Sequence, residues 1–109
     1  MTALSSFPLV TIVIPTYNRK ELLRKAITSV LSQTYTNREL FIVDDGSLDD
    51  TKTLVSLIKD VRIYLIGLDH NGNIAHLRNS GAAAGSGEWI AFLDSDDEWI
   101  SNKLEIQLR

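Results

Sequence analysis

Short apolar runs alternate along this chain with longer segments of mixed polarity. The runs are rich in β-branched or aromatic residues and read "LVTIVI" (9–14), "LFIV" (40–43), "VRIYLI" (61–66) and "WIAFL" (89–93). Residues of this type, in runs of this length, favour β-strands. Three of the runs are almost continuously apolar, which predicts strands that are buried on both faces of a sheet.

The segments between the runs carry the periodicity of amphipathic helices. In the first segment, apolar residues recur at helical spacing over 22–31. Asn18 is the predicted N-cap of this helix, and Glu21 three residues later completes a capping box. The other helices are predicted from Ser47 to Asp60, from Asn73 to Ala84, and from Ser101 onward. Small residues in the third helix, Gly81 among them, allow it to lie close to a sheet.

The strict alternation of strand and helix predicts the fold class. It indicates an α/β protein with a mainly parallel sheet of about four strands and helices on both faces. The last helix has only begun when the chain reaches Arg109, so we expect residues 1–109 to form the first part of a larger α/β domain. Such a part has an open sheet edge, which offers a route to self-association.

Composition and charge exclude several classes of protein. The chain has 109 residues, of which 44% are hydrophobic and 23% charged, as expected for one globular domain. Its net charge of -3 argues against a nonspecific nucleic-acid binder, which needs a basic surface. There is no cysteine for disulfides or thiolate metal sites. Residues 1–18 lack charge, but Pro8 and Pro15 interrupt their apolar run, which is too short for a targeting or membrane-spanning segment.

A polar segment follows each predicted strand. These segments read "PTYNR" (15–19), "DDGS" (44–47), "LDHNGN" (68–73) and "DSDD" (94–97). In a parallel sheet the carboxyl ends of the strands share one edge, and the ligands of open α/β sheets bind there. The sequence therefore predicts one site that is built from all of these segments.

The acids of "DSDD" indicate a metal site. Asp94 and Asp96 are two residues apart, directly after an apolar strand. Carboxylate oxygens in this number suit Mg²⁺ or Mn²⁺, which take their remaining ligands from phosphate and water. The same residues are equally consistent with a solvated acidic turn that starts the next helix.

The other polar segments offer groups for a nucleotide. Tyr17 provides a flat face for a base, and Arg19 provides a partner for phosphate or base. Asp45 offers an acceptor for a base N–H or a ribose hydroxyl. Arg78 fits a phosphate contact and a counter-ion to the acidic cluster equally well. The two histidines are interpreted as surface or edge residues, because their spacing matches no recognised metal site.

Three stretches of the chain together resemble a known family. "VTIVIPTYNR", "LFIVDDGSLDDT" and "HNGNIAHLRNSGAAAGSGEWIAFLDSDDEW", in this order, are similar to the amino-terminal half of family 2 inverting glycosyltransferases. The resemblance extends from about Leu9 to Leu108 and rests on the order and spacing of its motifs rather than on any one of them. It implies the Rossmann-like GT-A fold, of which residues 1–109 form the nucleotide-sugar-binding part.

The resemblance also implies a reaction and a set of site residues. Family members bind a nucleoside diphosphate sugar, usually a UDP sugar, and transfer the sugar with inversion to a carbohydrate or lipid-linked acceptor. By position, the resemblance implies that Asp96 and Asp94 bind Mn²⁺ or Mg²⁺, and that a general base lies beyond Arg109. The implied nucleotide-binding residues are Pro15, Thr16, Tyr17, Asn18, Arg19, Asp45, Asn73, Arg78, Asp94 and Ser95. The implied location is the cytoplasm, with peripheral binding to the inner face of the membrane as an option.

Other assignments of the acidic motif fit less well. A haloacid-dehalogenase-type phosphatase would use Asp94 as nucleophile and Asp96 as acid and base, but its motif needs Thr or Val at the position of Glu98 and normally lies on the first strand. A response-regulator receiver has its acid pair after the first strand, whereas "DD" here follows the second. A calcium loop needs glycine where Trp99 stands. A non-catalytic nucleotide-binding fragment and a metal-dependent nucleotidyltransferase remain open.

Overall fold

Parallel strands form one sheet in the computed structural model of the chain, which describes residues 7–108. The strands are β1 (Val10–Thr16), β2 (Arg38–Asp44), β3 (Ile63–Gly67) and β4 (Trp89–Phe92). They lie in the order β3-β2-β1-β4, and every neighbouring pair is parallel. The helices are α1 (Lys20–Leu31), α2 (Thr51–Ser56), α3 (Ile74–Ala84) and α4 (Lys103–Gln107). The predicted α/β class and parallel sheet are confirmed.

Helices cover both faces of the sheet, as predicted. The larger core joins the sheet to α1, α2 and α4 and includes Ile12, Ile14, Leu23, Ile27, Val55 and Leu104. On the opposite face, Val13 and Val43 pack against Leu77 of α3. A Cβ atom at Gly81 would come within 2.4 Å of Val13 Cγ1, so α3 lies this close to β1 only because residue 81 is glycine. The strand residues alternate between the two cores because side chains alternate along a strand.

The predicted burial is correct for β1 and wrong for β4. All seven residues of β1 are buried. In β4, by contrast, Trp89, Ile90 and Phe92 are 58%, 48% and 45% exposed. The physical reason is position: β4 pairs with β1 on one side only and forms an edge of the sheet among the described residues. Although β4 is apolar in composition, it is therefore not a buried strand within residues 7–108.

The start of α1 differs from the prediction. Asn18 is not its N-cap, because Asn18 adopts a left-handed backbone with φ 50 and Arg19 holds the cap position. The Asn18 side-chain oxygen instead accepts the Leu48 N–H at 2.7 Å. The N–H of Lys20, the first residue of α1, donates to Asp49 at 3.2 Å. The loops after β1 and β2 therefore brace each other, and the helix is capped from the neighbouring loop.

The bounds of the remaining helices differ from the prediction by a few residues in several places. Helix α3 begins after its predicted first residue, Asn73, and ends at Ala84 as predicted. Helix α2 begins at Thr51 rather than Ser47, because the Ser47 hydroxyl donates to Asp44 within the loop. Helix α2 also ends at Ser56, before the predicted end, and α4 begins two residues later than predicted, at Lys103. In residues 7–108 no helix has both the length and the apolar character needed to cross a membrane.

Candidate functional site

Two adjoining clefts open at the carboxyl edge of the sheet. The first has a volume of about 230 Å³, and its walls include Tyr17, Asp45 and His70. The second has a volume of about 250 Å³, and its walls include Arg78, Asp94 and Asp96. Pro15, Arg19, Ile74 and Ser95 line both clefts. The segments after β1, β2, β3 and β4 therefore meet at one place, as the sequence predicts.

A larger cavity lies at the other end of the strands. It measures about 890 Å³ and is lined by residues that include Phe7, Tyr35 and Arg62. These residues precede β1, β2 and β3, so the cavity lies at the amino ends of the strands. Ligands of open α/β sheets bind at the carboxyl ends, where this chain also gathers its acids. The chemistry thus points to the smaller clefts.

Asp45 is the most firmly held group of the first cleft. The residue is 2% exposed, and its carboxylate accepts the N–H of Asn71 at 2.9 Å and of Gly72 at 3.0 Å. His70 Nδ1 contacts the same carboxylate at 2.9 Å. Burial alone would raise the pKa of Asp45, but the two backbone N–H groups and the His70 ring outweigh it and lower the pKa below its ordinary value. Asp45 is therefore ionised at neutral pH.

An aromatic pair stands beside Asp45 in this cleft. The rings of Tyr17 and His70 stack at a centroid distance of 4.1 Å and an interplanar angle of 17°. Tyr17 lines the cleft at the predicted position. His70 was missed, because the sequence analysis interpreted both histidines as surface or edge residues. The available signal was its place in "LDHNGN", a segment that follows a strand and therefore reaches the same edge as "DDGS".

Carboxylates converge at the second cleft. One oxygen each of Asp94, Asp96 and Asp97 can be chosen so that all of them lie within 4.8 Å of one another. The turn that gathers them is closed by the N–H of Asp97, which donates to the Asp94 carbonyl at 3.0 Å. Hard oxygen ligands of this kind fit Mg²⁺ or Mn²⁺. Asp97 was not among the predicted site residues, yet the turn brings it into this cluster.

Arginines neutralise two of these acids. Arg19 contacts Asp96 at 3.3 Å, and Arg78 contacts Asp94 at 3.0 Å. Two roles were left open for Arg78, a phosphate contact and a counter-ion to the acidic cluster. In this structure Arg78 is the counter-ion of Asp94. Each partner is about half exposed, and pairs of this kind contribute only about 0–1 kcal/mol to stability. A cation can therefore displace either arginine from its carboxylate at small cost, and a phosphate can displace either carboxylate from its arginine.

Two buried polar atoms at these clefts have no hydrogen-bond partner within residues 7–108. They are Thr16 Oγ1 and Arg78 Nε. Thr16 is 3% exposed and lines the first cleft, and Arg78 lines the second. An unpaired buried polar atom costs about 1–3 kcal/mol, so a ligand that satisfies it gains affinity.

Most of the predicted nucleotide-binding residues line the clefts, and two do not. Asn73 caps α3, where its side-chain oxygen accepts the N–H of His76 at 3.2 Å. Asn18 braces the loops after β1 and β2, as described above. The structure brings the others together in the walls of the two clefts, namely Pro15, Thr16, Tyr17, Arg19, Asp45, Arg78, Asp94 and Ser95, with Asp96 of the metal prediction beside them.

Comparisons with known proteins agree with this geometry. The family model "Glycosyl transferase family 2" matches residues 11–109. The Escherichia coli protein named UDP-Glc:alpha-D-GlcNAc-diphosphoundecaprenol beta-1,3-glucosyltransferase WfgD is 46% identical over 100 residues, which cover 92% of this chain and 40% of that protein. The putative teichuronic acid biosynthesis glycosyltransferase TuaG of Bacillus subtilis is 39% identical over 103 residues, covering 93% and 41%. The chain thus spans about two fifths of these relatives.

Solved structures with the same arrangement extend the comparison. S. aureus TarS 1-349 in complex with UDP superposes with a TM-score of 0.84 at 27% identity, over 90% of this chain and 30% of TarS. The mannosyltransferase PcManGT from Pyrobaculum calidifontis, in complex with GDP-Man and Mn²⁺, gives a TM-score of 0.78 at 28% identity, over 84% and 28%. The predicted GT-A fold is confirmed. The chain belongs to glycosyl transferase family 2.

Proposed function

We propose that residues 1–109 form the donor-binding and metal-binding part of a glycosyltransferase. The enzyme would transfer a sugar from a nucleoside diphosphate sugar to an acceptor hydroxyl with inversion. One observation carries this proposal: a cleft lined by Tyr17 and Asp45 adjoins a carboxylate cluster with Asp94 and Asp96 along one sheet edge. A nucleoside diphosphate has the matching order, with a flat base at one end and metal-binding phosphates at the other.

UDP is the proposed nucleotide. Tyr17 offers a ring for stacking, and the ionised Asp45 offers an acceptor for the single N–H of uracil. The names of similar proteins support this choice: WfgD is named for UDP-Glc, and TarS has been solved with UDP and with UDP-GlcNAc. PcManGT has been solved with GDP-Man, so the fold alone does not select the base.

A divalent cation, Mn²⁺ or Mg²⁺, is the proposed cofactor, with Asp96 as its main ligand and Asp94 beside it. The donor set of Asp94, Asp96 and Asp97 fits such an ion, and PcManGT has been solved with Mn²⁺. When bound, the ion stabilises negative charge on the leaving diphosphate. In this chain the carboxylates would hold the ion, and Arg19 and Arg78, released from their ion pairs, would be able to contact phosphate oxygens.

The proposed inversion needs a general base that takes the proton of the acceptor hydroxyl. We do not assign this role to the acids of the two clefts. Asp94 and Asp96 are proposed metal ligands, and Asp45 is buried and already accepts hydrogen bonds. We propose that the base lies outside residues 1–109.

The proposed acceptor is a carbohydrate or a lipid-linked sugar at the cytoplasmic face of a membrane. Its support is the name of WfgD, which specifies an N-acetylglucosamine diphosphoundecaprenol acceptor.

We also propose that copies of the chain associate through the edge of β4 that is unpaired within residues 7–108, because unpaired edges with exposed apolar side chains favour strand pairing. Sedimentation velocity of the chain and of Ile90→Lys tests this association. Concentration-independent monomers in both samples would refute it.

The phosphatase alternative has less support than the transferase. Its nucleophile would be Asp94, which is held by Arg78 after an edge strand in this structure. The family match covers nearly the whole chain and names a different reaction class.

Calorimetry of UDP binding tests the proposed function. We expect UDP to bind in the presence of Mn²⁺ or Mg²⁺ and to bind at least about tenfold more weakly in EDTA, because the carboxylates then repel the diphosphate. Asp96→Ala should lose this metal dependence. Asp69→Ala is the matched control, since Asp69 lies at the same edge but lines neither cleft. A UDP affinity that is unchanged both by removal of the metal and by Asp96→Ala would refute the proposal.

A further inference from the structure

His70 joins the two groups that are proposed to read the base. Its ring stacks on Tyr17 at 4.1 Å, and its Nδ1 lies 2.9 Å from Asp45 Oδ2 and 3.1 Å from the Asp45 carbonyl oxygen. This histidine was predicted only to be a surface or edge residue. The contacts make it the link between the stacking ring and the buried carboxylate.

The partners of the ring fix its tautomer. Both groups near Nδ1 are oxygen acceptors, a carbonyl and an ionised carboxylate, so Nδ1 carries the proton and donates. In the neutral ring, Nε2 is then the unprotonated nitrogen. The side chain of His70 is 51% exposed, so the ring is held by these contacts rather than by burial.

The hydrogen bonds divide unequally between the oxygens of Asp45. Oδ1 accepts one N–H, from Asn71, whereas Oδ2 accepts the N–H of Gly72 and the Nδ1–H of His70. Each carboxylate oxygen has about two acceptor positions. Oδ2 is therefore full, and Oδ1 has room for one further donor.

We propose that His70 positions Tyr17 and selects the base, because its Nδ1–H fills Oδ2 of Asp45 and leaves the carboxylate able to accept one base N–H. Uracil offers one such donor. Guanine offers two adjacent donors, N1–H and N2–H, which a carboxylate accepts as a pair only when both oxygens are open. The inference rests on the proposed function and deepens it, since it assigns preference for uridine over guanosine nucleotides to this residue.

Two substitutions separate the two contacts of His70. His70→Phe keeps a flat ring against Tyr17 and removes the Nδ1–H, so Oδ2 gains an open acceptor position. The preference for UDP over GDP should fall about tenfold, the effect of about one charge-assisted hydrogen bond. His70→Asn keeps an N–H donor for Asp45 and removes the ring. It should weaken the binding of both nucleotides about threefold to tenfold. The ratio of the UDP and GDP affinities should stay within about twofold of the ratio for the unsubstituted chain.

The experiment is calorimetry of UDP and GDP with Mn²⁺ on the chain and on each variant. His76→Phe is the matched control, because this histidine lines neither cleft, and it should leave both affinities unchanged. A ratio in His70→Phe equal to that of the unsubstituted chain would overturn the role of His70 while metal-dependent UDP binding stands. Absence of UDP binding to the unsubstituted chain would overturn the proposed function and this inference together.

A spectroscopic measurement keeps the inference testable if a variant fails to fold. Nitrogen-15 spectra of the His70 ring in the unsubstituted chain, recorded where the ring is neutral, should show a protonated Nδ1. The signals of both ring nitrogens should shift when UDP binds. A neutral ring that carries its proton on Nε2 would overturn the inference.

Discussion

The two clefts share a sheet edge but hold their acids in opposite ways. Asp45 of the first cleft is 2% exposed and is bound by two backbone N–H groups and a histidine ring. The side chain of Asp96 in the second is 49% exposed and contacts one arginine. The first acid is held by three groups, whereas the second has a half-exposed arginine partner that it can exchange. The comparison separates a preformed end at Asp45 from an exchangeable charged end at Asp96.

Position in the sheet explains the difference. Strand β2 lies between β1 and β3, so the turn after it is covered by the loop that follows β3. That loop is tied to β2 where the N–H of Leu68 donates to the Asp44 carbonyl at 2.9 Å. Within residues 7–108, strand β4 is at the edge of the sheet and pairs with β1 alone, so the turn with Asp94 and Asp96 follows an edge strand. The same residue type thus gains a rigid or a labile environment from strand order.

The largest expected effect comes from Asp45→Ala. The substitution removes the charged acceptor of the Asn71 and Gly72 N–H groups and of His70, and a hydrogen bond to a charged group contributes about 1.5–3 kcal/mol. We expect the free energy of unfolding in urea to fall by about 2–4 kcal/mol. Asp97→Ala, the matched change at the exposed end, should cost less than about 0.5 kcal/mol. Equal losses in the two variants would contradict the contrast between the clefts.

Asp94→Asn should show the reverse pattern. Its ion pair with Arg78 is about half exposed, so the free energy of unfolding should change by less than about 1 kcal/mol. The affinity for Mn²⁺ should fall by at least about tenfold, because a charged oxygen ligand is lost. Thermal unfolding and Mn²⁺ titration by electron paramagnetic resonance measure the two quantities. A large loss of stability with unchanged metal affinity would show that Asp94 is structural.

The fold was largely predictable because its main signals are local. Apolar runs place each strand within a few residues, and β1 was predicted over 9–14 and found at Val10–Thr16. The predictions are wrong where tertiary contacts override the local sequence signals. Asn18 and Ser47 look like N-caps, but their side chains bond to Leu48 and Asp44 in the loops. The burial of β4 was mispredicted because composition does not report strand order.

The site was predictable in location but not in its internal contacts. Residues at the carboxyl ends of parallel strands must lie together, which identified Tyr17, Asp45 and Asp94 from the strand pattern alone. His70 was missed because its contact with Asp45 joins residues 25 positions apart. Sequence spacing carries no record of such a pair. The ion pair between Arg19 and Asp96 was hidden for the same reason.

Acid should weaken the stabilising contacts of Asp45 in the first cleft. The pKa of Asp45 is lower in the folded chain than its ordinary value, so its stabilisation is complete above about pH 4, the unfolded value. This stabilisation is lost as the pH falls through the lower folded pKa, because protonation then removes the charged acceptor. The difference in unfolding free energy between the unsubstituted chain and Asp45→Asn should narrow as the pH falls below about 4. Urea unfolding at each pH measures it, and a difference that grows with acid would contradict the sign.

The smallest expected effect is at Arg19, where substitution should strengthen metal binding. Arg19 contacts Asp96 at 3.3 Å and competes with a cation for it, so Arg19→Gln removes a competitor. Exposed pairs contribute about 0.2–1 kcal/mol, which corresponds to a rise in Mn²⁺ affinity of about 1.4-fold to fivefold without nucleotide. The gain should shrink in about 1 M salt, which screens the competing pair. Arg24→Gln, which breaks the exposed pair with Glu21 on α1, is the control and should leave Mn²⁺ affinity unchanged. Weaker Mn²⁺ binding in Arg19→Gln would mean that Arg19 supports the acidic cluster rather than competing for it.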